Sequence, residues 1–380
     1  MIKEKIIFDF NESNTSYLTH SLHSYPAKFP PQLPKVILEQ FSKKGETVLD
    51  PFCGSGTTIV EASLQGINAI GVDVNALACL LSKVKSKPLK EKQIKIIDNF
   101  LEIIINESFK WKNGNKYKIK VNEFEGLRHW FQLNVSKEIT FILSEIEKVS
   151  DNDVKDFLKV VLSSIIVRVS NQESDIRFAA INKNIKDCYT FDLFILKAKE
   201  SCKKIVEYSS LLKYKTEIKI YNDDSRNLYF IEPKSVDIII TSPPYANSYD
   251  YYLYHKLRQK WLGLDVRFAQ YNEIGSRREY SSLKENPKKW KDDLIKCFLE
   301  MNRVLKNNGL AFIVIGDSVI RKEIIKADEL INEFSNFVGF NILDIISSDL
   351  KNHSRMFNPT FAKKGKKEHL IILQKKYDRN

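Results

Sequence analysis

The chain has 380 residues, 43% hydrophobic and 28% charged, which is enough for one large core or two ordinary ones and excludes wholesale disorder. Its net charge of +12 suits a polyanionic partner, because lysines and arginines facing phosphates release counterions and steer association. No apolar run is long enough to span a bilayer, and MIKEKIIFDFNESN lacks the apolar stretch and cleavage site of a signal peptide, so the expected location is cytoplasmic, away from membranes.

Taken in chain order, residues 43–75 come first. The apolar run GETVLDPF meets a glycine turn in CGSGTTIVEASLQG, where Thr57-Thr58 opens a helix, and INAIGVDVN follows. Strand, turn, helix, strand is the pattern of a parallel α/β unit. Residues 91–214 change character. KQIKIIDNFLEIIIN, NVSKEITFILSEIEKV and VKDFLKVVLSSIIVRV carry helical periodicity, strand signals are few and proline is absent. A helical insertion is expected there, with the option of a separate subdomain. From residue 216 the α/β pattern returns in TEIKIYNDDSR, SVDIIITSPPY and GLAFIVIGD. WKDDLIKCFLEMNRVLKNNG reads as an amphipathic helix closed by Asn-Gly, and NILDIISSD with EHLIILQKK as a closing antiparallel pair. There is no internal repeat.

The chemistry concentrates at four predicted strand ends. In Asp50-Pro51-Phe52-Cys53-Gly54-Ser55-Gly56-Thr57-Thr58 two glycines let a ligand approach the backbone, ahead of a helix N-terminus. This is no phosphate-binding P-loop, since no lysine follows the glycines, and no G-x-G-x-x-G turn, since Ile59 holds the third glycine position. Asp73, at the second strand end, can accept from both hydroxyls of a ribose, and the third strand end, Asn222-Asp223-Asp224-Ser225-Arg226, supplies a carboxylate that can accept from the amino group of an adenine. At the fourth, Thr241-Ser242-Pro243-Pro244-Tyr245, two prolines make a stiff backbone with free carbonyl acceptors. Ser242 adds another acceptor, and Tyr245 a ring that can stack on a planar base. Acceptors beside a stacking ring suit an exocyclic amine. Cys53, Cys79, Cys188, Cys202 and Cys297 form no C-x-x-C pair or Cys/His cluster, so neither a disulfide framework nor a metal site is expected.

DPFCGSGTT and TSPPY together resemble the cofactor and catalytic motifs of the S-adenosylmethionine-dependent DNA amino-methyltransferases, which modify cytosine N4 or adenine N6. His23-Ser24-Tyr25-Pro26-Ala27-Lys28-Phe29-Pro30-Pro31 resembles the family's N-terminal motif beside the methionine end of the cofactor. The likeness covers roughly residues 20–90 and 216–380. It implies an α/β, Rossmann-like class I methyltransferase fold: a mostly parallel seven-stranded sheet with a C-terminal antiparallel hairpin. Residues 1–90 and 215–380 would form the catalytic domain and 91–214 the candidate target-recognition insertion. S-adenosyl-L-methionine is the implied cofactor. Tyr25, Lys28, Phe29 and Asp50 would lie near its methionine part; Phe52, Gly54, Gly56 and Thr57 would line it; Asp73 would hold the ribose and Asp224 the adenine. Ser242, Pro243, Pro244 and Tyr245 would hold the flipped base. Transfer would be direct, without a covalent intermediate or metal.

Ser-Pro-Pro-Tyr is more frequent in the cytosine-N4 group, and Asp- or Asn-Pro-Pro-Tyr in the adenine-N6 group, so N4 is preferred and N6 is the alternative. Cytosine C5 chemistry needs a Pro-Cys nucleophile, and the chain has no Pro-Cys pair. The implied partners are double-stranded DNA and, in a restriction-modification system, a cognate endonuclease. Many relatives with Ser-Pro-Pro-Tyr carry the catalytic loop first. Here it comes last, behind a long insertion.

Two segments compete to read DNA. One is the insertion, with Arg128, His129, Trp130, Arg168, Asn171, Gln172 and Arg177; the other runs from Asn247 to Tyr280 and interleaves aromatic with basic residues. The run Lys363-Lys364-Gly365-Lys366-Lys367 is expected in a hairpin turn near phosphate. A tRNA guanine-N2 methyltransferase and a catalytically silent nucleic-acid-binding subunit are the rival readings.

Overall fold

The structure is a computed structural model, and it describes residues 13–115, 118–175, 177–321, 323–349 and 366–377. The apolar runs become strands β1 (Thr47–Asp50), β2 (Asn68–Val72), β3 (Ile218–Tyr221), β4 (Val236–Thr241), β5 (Leu305–Gly316), β6 (Phe340–Asp349) and β7 (Lys367–Lys375). They build a seven-stranded sheet in the order β6–β7–β5–β4–β1–β2–β3. Neighbours from β5 to β3 are parallel, whereas β7 runs antiparallel to both β5 and β6. That order and direction define the Rossmann-like class I methyltransferase fold. The chain reverses its direction of growth between β1 and β4, where open α/β sheets leave a crevice at the strand C-termini.

Alternation along the strands explains why both faces are covered. Ile238 and Ile240 of β4 join a core with Leu33, Ile37, Ile59 and Phe312, while Ile239 points to the other face, among Leu294, Phe298, Ile331 and Ile371. The longer helices are α1 (Gln32–Phe41), α2 (Thr57–Gln65), α3 (Ala76–Ser86), α4 (Glu91–Lys112), α5 (Leu133–Lys148), α6 (Asn152–Ile165), α7 (Tyr189–Leu211), α8 (Tyr251–Leu262), α9 (Lys288–Val304) and α10 (Ala327–Ser335). Asn75 caps α3, its side-chain oxygen accepting from the Leu77 N–H at 3.0 Å.

Residues 91–214 fold as α4 to α7 with a short hairpin, Gln172–Ser174 against Arg177–Ala180, inside the Arg168–Arg177 run. Ile97, Phe100, Phe157 and Phe191 share one apolar cluster with Leu77 and Leu81 of α3 and Leu257 and Trp261 of α8. The insertion and the catalytic portion therefore have a continuous core. Buried Arg258 of α8 strengthens the joint, donating to the Ser163 carbonyl at 3.1 Å and to the Asp175 carboxylate at the hairpin tip.

The expected Asn-Gly closure of the helix before β5 is not what forms. α9 ends at Val304, and Leu305 already pairs with Val236 as the first residue of β5. Burial of Leu305 and the backbone bonds from Lys234 and Ser235 to Arg303 and Val304 pull the chain into the sheet before the Asn-Gly pair. Among the described residues no helix is long and apolar enough to cross a membrane.

Candidate active site

The glycine turn leaves β1, and its conformation comes from two positive-φ glycines with different tasks. Gly54 (φ +49°) lines the crevice, and a Cβ there would stand 3.1 Å from the Tyr25 ring. Gly56 (φ +83°) does not line it. A Cβ at Gly56 would lie 2.8 Å from the Ser82 Cα, so this glycine lets α3 pack against the turn.

Asp50 sits at the centre of the switch point, almost wholly buried. Its carboxylate accepts from the hydroxyls of Thr241 at 2.7 Å and Thr58 at 2.8 Å and from the Phe52 N–H at 3.2 Å. It thereby ties the glycine turn to the start of the Ser-Pro-Pro-Tyr loop. Burial pushes its pKa up to about 6 against the opposing pull of those bonds. Asp73, at the end of β2, accepts from the Gly54 N–H at 2.9 Å and the Asn75 N–H at 2.8 Å, and burial likewise raises it to about 6. Asp224 lies beyond β3, gripped by Arg226, whose Nε stands 3.0 Å from both of its oxygens. Arg226 also pairs with Asp293 of α9 at 3.1 Å.

The loop after β4 faces this turn across the crevice. The Pro244 carbonyl is not free, because Trp290 Nε1 donates to it at 3.0 Å. Among the described residues nothing donates to the Pro243 carbonyl. The Tyr245 ring rests on Gly316, where a Cβ would come within 2.8 Å of Cε2. Its hydroxyl donates to Glu368 at 2.8 Å and lies 3.4 Å from the Ser242 hydroxyl.

One cleft of about 380 Å³ joins these parts, within the ~300–1,000 Å³ usual for small-molecule sites. Tyr25, Lys28, Phe29, Asp50, Phe52, Gly54, Thr57, Asp73 and Asp224 line it together with Ser242, Pro243, Pro244 and Tyr245. The family comparison agrees with this arrangement: the profile of the DNA methylase family, covering N6 and N4 enzymes, matches residues 4–84 and 236–380. The chain belongs to that family.

Three type II methyltransferases are similar to it. M.MvaI of Kocuria varians is 27% identical over 280 residues, 68% of this chain and 60% of the relative. M.MjaII of Methanocaldococcus jannaschii is 24% identical over 418 residues, 86% of this chain and 77% of the relative. M.BsoBI of Geobacillus stearothermophilus is 26% identical over 285 residues, 67% of this chain and 55% of the relative. The chain thus spans only 60% and 55% of the lengths of M.MvaI and M.BsoBI.

DNA methylases of this family draw their methyl group from S-adenosylmethionine, and the cleft fits that molecule. Ser55 lines the wall, and its Oγ is buried without a partner among the described residues. Carboxylates at Asp73 and Asp224 offer acceptors for hydroxyl and amino groups. Lys28, donating to the His20 carbonyl at 3.0 Å, brings an ammonium to the same wall.

Sequence reasoning missed the opposite wall. Tyr249, Tyr251, Tyr252 and Glu273 line the cleft, and Tyr25 stacks between Tyr251 (centroids 5.9 Å apart) and His255 (4.9 Å). Glu273 accepts from the Tyr251 N–H at 2.6 Å, and burial drives its pKa well up. The tyrosine density at 249–254 was a signal, but it pointed to DNA rather than to a pocket wall.

The expected DNA-reading residues divide. Arg128, His129, Arg168 and Arg177 are exposed. Gln172 is fully buried and donates to the Ser174 carbonyl at 2.8 Å, which removes it from any base edge. Trp130 packs on Phe178, with centroids 4.3 Å apart, and Asn171 donates to the His129 carbonyl at 3.2 Å. Of the basic run, Lys363, Lys364 and Gly365 lie outside the described residues.

Proposed function

We propose that this protein transfers a methyl group from S-adenosylmethionine to the exocyclic amine of a base flipped out of double-stranded DNA, cytosine N4 in preference to adenine N6. The observation that carries the reading is the sharing of a single cleft by the glycine turn and the Ser242–Tyr245 loop, with Asp50 hydrogen-bonded to both sides. The serine in place of an aspartate or asparagine supports the cytosine preference.

When bound, the cofactor supplies an electrophilic methyl group on a sulfonium. The Ser242 hydroxyl and the Pro243 carbonyl accept the hydrogens of the target amine, which draws its lone pair out of ring conjugation. Tyr245 stacks on the extruded base and fixes its plane. Held in this way, the amine nitrogen would be the nucleophile toward the methyl group that the bound cofactor supplies, and its surplus proton would pass to water after transfer. Cys53, which also lines the cleft, is held as a thiol because burial raises its pKa well above normal.

DNA contact falls to the exposed arginines of the insertion and to the segment 247–280. Arg128 and Arg177 pair with glutamates, Glu123 at 2.5 Å and Glu173 at 3.0 Å, contacts that phosphates readily replace. Pairing with a cognate endonuclease in a restriction-modification system completes the proposal. Sequencing DNA from a host that expresses the gene, with detection of both amino-methylated bases, tests it. N4-methylcytosine at one fixed motif is the expected result; N6-methyladenine would overturn the choice of base, and unmodified DNA the whole reading.

A further inference from the structure

Ser242 poses a problem that an aspartate would not. A carboxylate can only accept, whereas a hydroxyl both donates and accepts, and its hydrogen turns to whichever neighbour suits it. A hydroxyl whose hydrogen points at the target amine would repel the N–H groups it has to receive. The residues around it remove this freedom. Glu368, the second residue of β7, pairs opposite Gly316, and its Oε1 lies 2.8 Å from the Tyr245 hydroxyl. A carboxylate facing a phenol makes the phenol the donor, and burial together with the Glu368 charge holds the Tyr245 pKa well above its usual value, so the proton stays on. The Tyr245 oxygen is then left with lone pairs. The Ser242 hydroxyl, 3.4 Å away, is the donor to it. That separation is long for O–H···O, as such bonds often are before substrate closes a site.

We infer that Glu368, acting through Tyr245, is a positioning residue that turns the Ser242 hydrogen away from the cleft and commits its oxygen to accepting the target amine. The inference rests on the methyltransferase reading above and deepens it. Glu368 is held in place from the far side of its strand. The next residue, His369, is buried and bonds to Ser347 at 2.8 Å and to Asp317 at 3.2 Å. The Lys367 N–H donates to Asp317 at 2.8 Å. With the start of β7 pinned on that face, the Glu368 side chain stays on the cleft side, where it lines the same cavity as Ser242.

The test uses the full chain, with steady-state methylation of DNA and calorimetric titration of S-adenosylmethionine. Glu368→Ala is expected to lower kcat by about 10- to 100-fold with unchanged cofactor affinity, because one charge-assisted contact to the relay is lost. Glu368→Gln keeps an acceptor for the tyrosine hydroxyl and should recover to within roughly 5-fold of the parent. Tyr245→Phe keeps the stacking ring but cuts the relay, and Glu368→Ala added to it should cost no more, since two members of one network are not additive. Full activity in Glu368→Ala, or additive losses in the double variant, would overturn the relay while leaving the methyltransferase reading intact. Glu368→Gln as inactive as Glu368→Ala, with Tyr245→Phe fully active, would also overturn it. A parent chain that methylates no DNA would overturn both.

Discussion

The two walls of the cleft are built on different principles. The glycine-turn wall is assembled where strand ends converge: Asp73 is held by two peptide N–H groups, and Asp50 by one N–H and by the hydroxyls of Thr58 and, from the end of the neighbouring strand β4, Thr241. The facing wall is assembled by side chains brought from far apart, with Tyr25 stacked on Tyr251 and Tyr245 joined to Glu368 across 123 positions. A strand end fixes a functional group in sequence and in space at once. A stacked wall fixes it in space alone.

The largest effect should come from the Ser242–Tyr245 loop of the facing wall. Replacing Ser242-Pro243-Pro244-Tyr245 by alanines should cost at least ~10³-fold in methyl transfer with cofactor affinity retained, because base acceptors and stacking vanish together. Calorimetry beside a methylation assay checks this, and a parallel loss of cofactor binding would dissolve the division between the walls. Next comes Asp73→Ala, expected to weaken S-adenosylmethionine binding by about 10- to 100-fold through loss of charge-assisted bonds. Gly56→Ala should lower stability by ~1–3 kcal/mol, since its positive φ and the Ser82 backbone leave no room for a Cβ. A denaturant titration measures it, and an unchanged midpoint would show that the turn is less tightly packed than its contacts require.

The pH response separates the walls further. Asp73 is raised by burial to about 6, so it gains a proton, and loses acceptor capacity, as the pH falls through 6. Cofactor affinity should therefore drop on acidification from pH 8 to pH 5, and Asp73→Asn should flatten the profile. The smallest effect belongs to the insertion surface: Arg168→Ala should weaken DNA binding a few-fold and lower the salt slope by about one.

The sheet was readable because each strand is an apolar run ending in a chemically distinctive residue, and Asp50, Asp73, Asp224 and Ser242 all reach one crevice. Glu368 was not readable, because nothing in EHLIILQKK distinguishes a glutamate facing Tyr245 from a solvated one. Arg226 was likewise hidden, since its grip on Asp224 and Asp293 joins β3 to α9 only in three dimensions. The helical periodicity of 91–214 was clear, yet its hairpin stayed invisible, because Gln172 and Asp175 are ordered by burial and by Arg258 rather than by local propensity.

The most direct test of the account is transfer of an isotope-labelled methyl group from S-adenosylmethionine to duplex DNA by the purified chain, followed by separation of the nucleosides. Label should appear in N4-methylcytosine, and disappear when the Ser242–Tyr245 loop is replaced. Label in 5-methylcytosine, or transfer undiminished by that replacement, would contradict it.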